Sequence, residues 1–117
     1  EIDRAGVGEF FKVSGRPCML LYATLDQRLQ RSQPFRSLFL QELLRRGILA
    51  PNFAITAAHS DADVDNTVAA VGAALDVYAC AIEVGVEKYL YGRAVAPVFR
   101  KYNAAPPTNK SSKREVA

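Results

Sequence analysis

The chain has 117 residues, enough for one domain with one modest core, and half of them are hydrophobic, which excludes a chain disordered throughout. Its net charge is +3, with much of the excess between Arg93 and Arg114. No stretch interleaves basic and aromatic residues in the manner of single-strand binders, and no apolar run reaches the roughly 18 consecutive residues of a membrane span, so neither nucleic acid nor membrane is an expected partner.

Residues 1–13 read as a lead-in segment anchored by Phe10, Phe11 and Val13, with Gly6 and Gly8 opposing a long helix. Ser14-Gly15-Arg16-Pro17 reads as a turn. Cys18 to Leu25 is a short, nearly continuous apolar run with Tyr and Thr, which predicts a buried strand. The polar stretch Asp26 to Gln33 predicts a loop or frayed turn.

Pro34 to Arg46 predicts a helix. Proline suits its first position, apolar residues recur at Phe35, Leu38, Phe39 and Leu43, and Glu42 interrupts them. Arg45 and Arg46 complement its negative end, and Gly47 supplies a left-handed cap. Ile48-Leu49 predicts a short extended piece, Ala50-Pro51-Asn52 a turn, and Phe53 to Ala58 another strand.

Ser60 to Tyr91 predicts the element that organises the rest. Val64, Val68, Val71, Leu75, Tyr78, Ile82 and Val86 follow the period of one helix face, which is expected to pack on a sheet. Ser60 and Asp63 have capping-box spacing, and Asp61, Asp63 and Asp65 suit the positive end of the helix dipole. About 30 helical residues would span roughly 45 Å, too long for so small a domain. A break is expected near Gly85, with Gly92 a plausible stop. From Tyr102 onward the composition predicts a poorly ordered tail.

The fold class that follows is α+β, a small, mostly antiparallel sheet in the order strand-helix-strand-strand-helix with helices on one face. Residues 14–92 form the domain and residues 93–117 a basic tail. Chemistry is sparse. His59, the single histidine, adjoins Ser60 and Asp61, but neighbours in sequence do not make a triad, which is recognised by geometry across a fold. The Asp61, Asp63, Asp65 alternation lacks the glycine and later glutamate of a calcium loop. Cys18 and Cys80 sit in apolar contexts and are expected to be buried free thiols, which suggests a reducing, cytosolic setting. One histidine and two distant cysteines cannot build a structural zinc site. No phosphate-binding glycine loop is present, and no catalytic residue emerges.

The run from Phe35 to Leu75 nevertheless resembles a known family. The helix end Leu43-Leu44-Arg45-Arg46-Gly47-Ile48-Leu49, the strand entering Ala58-His59-Ser60, the helix start Asp61-Ala62-Asp63-Val64-Asp65, and the earlier Gly15-Arg16-Pro17 occur in its order. Together they look like the C-terminal small domain of class III pyridoxal-phosphate aminotransferases, in the branch around glutamate-1-semialdehyde aminomutase. The resemblance spans roughly residues 14 to 90. It implies a fold-type I parent enzyme, usually a homodimer, whose cofactor is a Schiff base on a lysine of an upstream large domain. None of Lys12, Lys88, Lys101, Lys110 or Lys113 lies in a segment resembling that motif. This chain alone is therefore expected neither to hold pyridoxal phosphate nor to catalyse transamination. Its implied part is to close one side of the active site and contact substrate, with the large domain of the same polypeptide as its partner. The start at Glu1 without a methionine fits a piece of a longer polypeptide.

In the aminomutase branch an acidic residue precedes the strand leading into the Ala-His-Ser piece. That slot falls at Pro51-Asn52, which favours an aminotransferase over an aminomutase. Asn52 is then the best candidate to face substrate, against its reading as a plain turn residue. Arg16 is suited to a substrate carboxylate through bidentate pairing, against a surface role. His59 completes the set, against packing at the helix start with hydrogen bonds to nearby backbone. The alternative function is a stand-alone α+β module that binds a partner protein without catalysis.

Overall fold

A computed structural model describes residues 1–96. The chain runs α1 (Ile2–Ala5), β1 (Phe11–Arg16), β2 (Met19–Thr24), α2 (Gln33–Leu44), β3 (Phe53–Ala54) and α3 (Asp61–Val84), followed by a 3-10 turn over Val86–Lys88. The three strands form one antiparallel sheet in the order β1-β2-β3. The class is α+β, but the strand order departs from expectation. The adjacent strands are a hairpin before α2, and Ile48-Leu49 is not a strand.

The hairpin explains the correction. Ser14, Gly15 and Arg16 belong to β1, and the turn is confined to Pro17-Cys18, closed by Arg16 opposite Met19. Gly15 has φ 99°, and a Cβ there would lie 2.5 Å from the Met19 carbonyl oxygen. Only glycine tolerates that conformation and that approach, so a residue that reads as a turn signal is part of a strand. β3 keeps just the first two residues of its predicted run.

Alternation divides the sheet into two faces. Phe11, Tyr22 and Thr24 are buried on one; Lys12, Ser14, Met19 and Leu21 are exposed on the other. The inner face packs on α2 and α3 around an aromatic cluster. Phe11 touches Tyr22, Phe39 and Tyr78 at ring-centre distances of 5.5, 4.7 and 6.0 Å, and Phe35 lies 4.7 Å from Tyr78. The Tyr78 hydroxyl donates to the Leu25 carbonyl at 2.6 Å, and the Tyr22 hydroxyl to that of Ala50 at 2.8 Å. Burial raises both phenol pKa values.

In α2, Ser32 is the N-cap, accepting from the Phe35 N–H, and Gln33 is the first helical residue. The capping box expected at the start of α3 is present, and the break expected near Gly85 (φ 103°) is where that helix ends, short of Gly92. Gly72 lies where α1 crosses α3: Arg4 donates to its carbonyl and pairs with Asp76 at 3.0 Å. Beyond α3 the chain is strapped to α2. The Gln41 side chain donates to the Tyr89 carbonyl and accepts from the Tyr91 N–H, and the Val95 N–H donates to Ser37 Oγ at 2.7 Å. The tail from Pro97, including the stretch from Tyr102, lies outside the described residues.

Two burial expectations are corrected. Cys18 and Cys80 are free but exposed, one in a hairpin turn and the other on the outer side of α3, so the inference from buried thiols to a reducing compartment falls away. The buried stripe of α3 is Ala70, Ala74, Leu75, Tyr78 and Ala81, whereas Val64 and Val68 are 38% and 48% exposed. By length and composition α3 would also suit a membrane span, and a third of its apolar window is buried against the described residues. Leu75→Ala is therefore expected to cost about 2–5 kcal/mol, and Val68→Ala less than about 1 kcal/mol. Urea denaturation of the two variants checks the facing; equal losses would refute it.

Glu42 interrupts the apolar pattern of α2 for a visible reason. Its side chain is 2% exposed and accepts from Arg45 at 3.2 Å and Arg46 at 2.9 Å. Burial pushes the carboxyl up, but hydrogen bonds from Arg46, Gln41 and Arg45 outweigh it and hold the pKa below its ordinary 4.5. A lowered folded value means that the stabilisation is full above the unfolded pKa and is lost as pH falls through the folded one. Glu42→Gln is expected to cost about 1–2 kcal/mol at neutral pH, a low figure because both arginines are solvated. The loss should shrink on acidification; a pH-independent loss in denaturation curves would contradict the ion-pair account.

Candidate binding cleft

The first turns of α3 rise beyond the two-residue strand β3, and Val64 and Val68 on them are left part-exposed by the described residues. Between them and the inner sheet face lies an open cleft of about 850 Å³. The hairpin contributes Val13 and Leu20, the β3 region Asn52, Phe53 and Ile55, the segment after α2 Ile48 and Leu49, and α3 Val64, Val68 and Val71. The polar lining is His59, Asp63, Asn66 and Thr67, with Glu1 and Asp3 from the start of the chain. No lysine or arginine lines it among the described residues.

Asn52 and His59 are thus brought to one cleft. Arg16 is not: it is exposed at the end of β1 beside Met19, away from the lining residues. The three candidates do not form one constellation within this chain.

The polar groups at the helix start are already engaged. The Ser60 N–H donates to Asp63 Oδ2 at 2.8 Å, and the Asp63 N–H to Ser60 Oγ at 3.1 Å. The Ser60 backbone bond first, then the Ser60 side chain, holds the Asp63 carboxyl below its usual range, with a small contribution from His59. His59 Nδ1 accepts the Thr56 N–H at 3.0 Å. Thr56 Oγ1 also lies 3.4 Å from Nδ1, but that nitrogen already accepts the Thr56 N–H, so Ser60, His59, Thr56 and Asp63 close the strand-to-helix junction among themselves. Among the described residues no group of three His, Cys, Asp or Glu side chains converges as a metal site.

No family model matches this chain. Comparisons with characterised proteins and with solved structures also find no match.

Asn66 and Thr67 escaped the sequence reading as lining residues. Their signal was present: they sit three and four positions after Asp63, the spacing that brings helix residues to one face. Thr67 Oγ1 donates to the Asp63 carbonyl at 2.8 Å, which orients it along the helix. The apolar lining reads in sequence as core, since periodicity marks a face without saying what covers it.

Two substitutions test the structural role of the junction. Ser60→Ala removes the cap and should cost about 1 kcal/mol. His59→Ala should cost under about 0.5 kcal/mol, because the Thr56 N–H it frees is exposed and water replaces the ring. Thermal melts measure both; a larger loss for His59→Ala than for Ser60→Ala would overturn this ranking.

Proposed function

We propose that this chain is the C-terminal small domain of a class III pyridoxal-phosphate aminotransferase, working as one side of an active site whose cofactor lysine lies in a large domain of the same polypeptide. The observation that carries the reading is the bare outer face of the sheet. Among the described residues, helices cover only the inner side, with Met19 and Leu21 45% and 51% exposed on the outer side and Arg16 at its end. Isolated exposed apolar residues are ordinary, but adjacent ones on a sheet face with no covering layer suit a docking surface. In this reading the face packs on the large domain, and Arg16 lies where the two meet.

The residues described here do not fit the cofactor itself. Its covalent anchor is a lysine amine, and the cleft has none; Lys12 is on the outer face with its ammonium on the Gly8 carbonyl, and Lys88 is in the 3-10 turn after α3. No chemical step is assigned to this chain. Its contribution is positional: Arg16 presents a fixed fork of donors to a carboxylate, and Asn52 and His59 border the cleft on the other side. The reaction class of the parent is amino-group transfer, with a homodimer as the working form.

The same bare face suits a stand-alone module that binds another protein, and one experiment separates the two readings. The polypeptide carrying these residues is purified from its source cell, reduced with borohydride and mapped by peptide mass. The proposal expects a pyridoxyl-lysine in a peptide outside the 117 residues. A label on Lys12, Lys88, Lys101, Lys110 or Lys113, or no label at all, would overturn it.

A further inference from the structure

We infer that the loop 26–31 of one copy of this chain docks, through Leu29, in the cleft beside the first turns of α3 of a second copy. The contact does not rest on the aminotransferase reading.

The loop breaks a local rule at its tip. Leu29 has φ 59°, the only positive φ of a non-glycine residue among the described residues. The Asp26 N–H donates to the Gln30 carbonyl and the Leu29 N–H to the Asp26 carbonyl, both at 2.9 Å, which closes a three-residue hairpin loop. The last residue of such a loop is left-handed, and glycine is the residue that suits it. Leucine strains the backbone there, yet the surroundings hold it. Asp26 Oδ1 accepts the N–H groups of Arg28 and Gln30 at 2.8 and 3.0 Å, a bridge joins Leu25 to Arg31, and Gln27 Nε2 donates to the Ile82 carbonyl at 3.1 Å. The core gains little in return, since Leu29 is 52% exposed. Strain that is held in place without serving the core points to a contact outside the fold.

The flanks say what that contact needs. Arg28 and Arg31 are exposed, and neither is in an ion pair among the described residues. The one carboxylate of the loop, Asp26, is turned to the loop's own N–H groups. An apolar tip between two cations fits an apolar pocket with carboxylates at its edge.

The cleft has that chemistry. Its lining is apolar and half-open at Val13, Ile55, Val64 and Val68. Asp3 and Asp63 also line it; neither is in an ion pair among the described residues, and Asp63 keeps its charge while capping α3. Glu1 is already paired with Arg4, and no lysine or arginine lines the cleft among the described residues.

One molecule cannot make this contact with itself. Gln27 fixes the loop beside Ile82. Val71, the nearest lining residue on α3, lies about 16 Å back along the helix, and Asp63 about 28 Å. The contact is therefore head to tail between copies. One loop in one cleft buries less than the roughly 1,200 Å² of a stable interface, so the association is weak and sensitive to salt.

The test replaces Leu49, on the cleft rim and 77% exposed, with the photoreactive p-benzoylphenylalanine in the full 117-residue chain. Isotopically light and heavy chains are mixed at about 1 mM, where weak contacts are populated. They are irradiated at about 0.05 M and about 1 M salt, and the links are mapped by mass spectrometry. The expected result is a light-to-heavy link from residue 49 to residues between 27 and 31, with a yield several-fold lower at high salt. Arg28→Glu with Arg31→Glu should lower the low-salt yield several-fold. Leu29→Gly should do the same while melting no lower than the parent chain, because glycine suits the left-handed position. Links confined to one chain, links to another surface of the second copy, or no link would each overturn the inference. A light-to-heavy yield unchanged by Leu29→Gly would overturn the role of the strained tip.

Discussion

The hydroxyl of Tyr78 is the constraint on which the rest of the architecture depends. It belongs to the buried stripe of α3, and it reaches the backbone at the open end of the hairpin, away from the Pro17-Cys18 turn. It donates to the Leu25 carbonyl at 2.6 Å, and the Phe10 carbonyl lies 3.3 Å away. Phe10 and Leu25 are themselves joined by a backbone hydrogen bond at the foot of β1 and β2. One side chain therefore fixes the helix to the sheet at a single height and direction. A buried hydroxyl without a partner would cost about 1–3 kcal/mol, so the alignment is specific as well as favourable. The rings of Phe11, Phe35, Phe39 and Tyr22 then fill the space around it, and their tilted and edge-on contacts require both helices at once.

That anchoring near the C-terminal half of α3 explains why the other half is free. A helix of 24 residues is longer than the sheet it packs on, and β3 provides only two residues of strand. The excess turns stand clear, and the apolar side chains they carry line a cleft instead of a core. Asp63, which caps the helix, consequently borders that apolar lining. The core and the cleft share this one helix, divided at about Ala70. At the opposite side, Gln41, Glu42 and Ser37 bind the returning chain and the two arginines to α2, so the polar positions of that helix organise its surroundings.

The sequence made α2 and α3 legible because their signals are local, whereas the single turn of α1 passed unread. Ser60 and Asp63 announce a capping box, Gly47 and Gly85 announce stops, and periodicity finds Leu75 and Tyr78. The hairpin was not legible. Gly15 beside Arg16-Pro17 carries every mark of a turn, but its positive φ serves a strand in which a carbonyl crowds the Cβ position. Burial was legible only in part. Val64 and Val68 continue the apolar period of the helix, and periodicity does not say whether a neighbouring element covers them; β3, which directly precedes α3, stops after two residues. Cys18 shows the same limit, being apolar in context yet exposed in a two-residue turn. Of the proposed substrate-facing residues, Asn52 and His59 share a cleft and Arg16 does not, a separation that spacing along the chain could not reveal.

Under the proposed function this α+β unit lies against a larger domain, through the sheet face that the described residues leave uncovered. The most direct measurement is the intact mass of the polypeptide that carries these residues in its source cell. The account predicts a mass several times that of 117 residues, enough for a cofactor-binding domain. A mass equal to that of this chain would contradict it and leave a module whose bare face serves another protein.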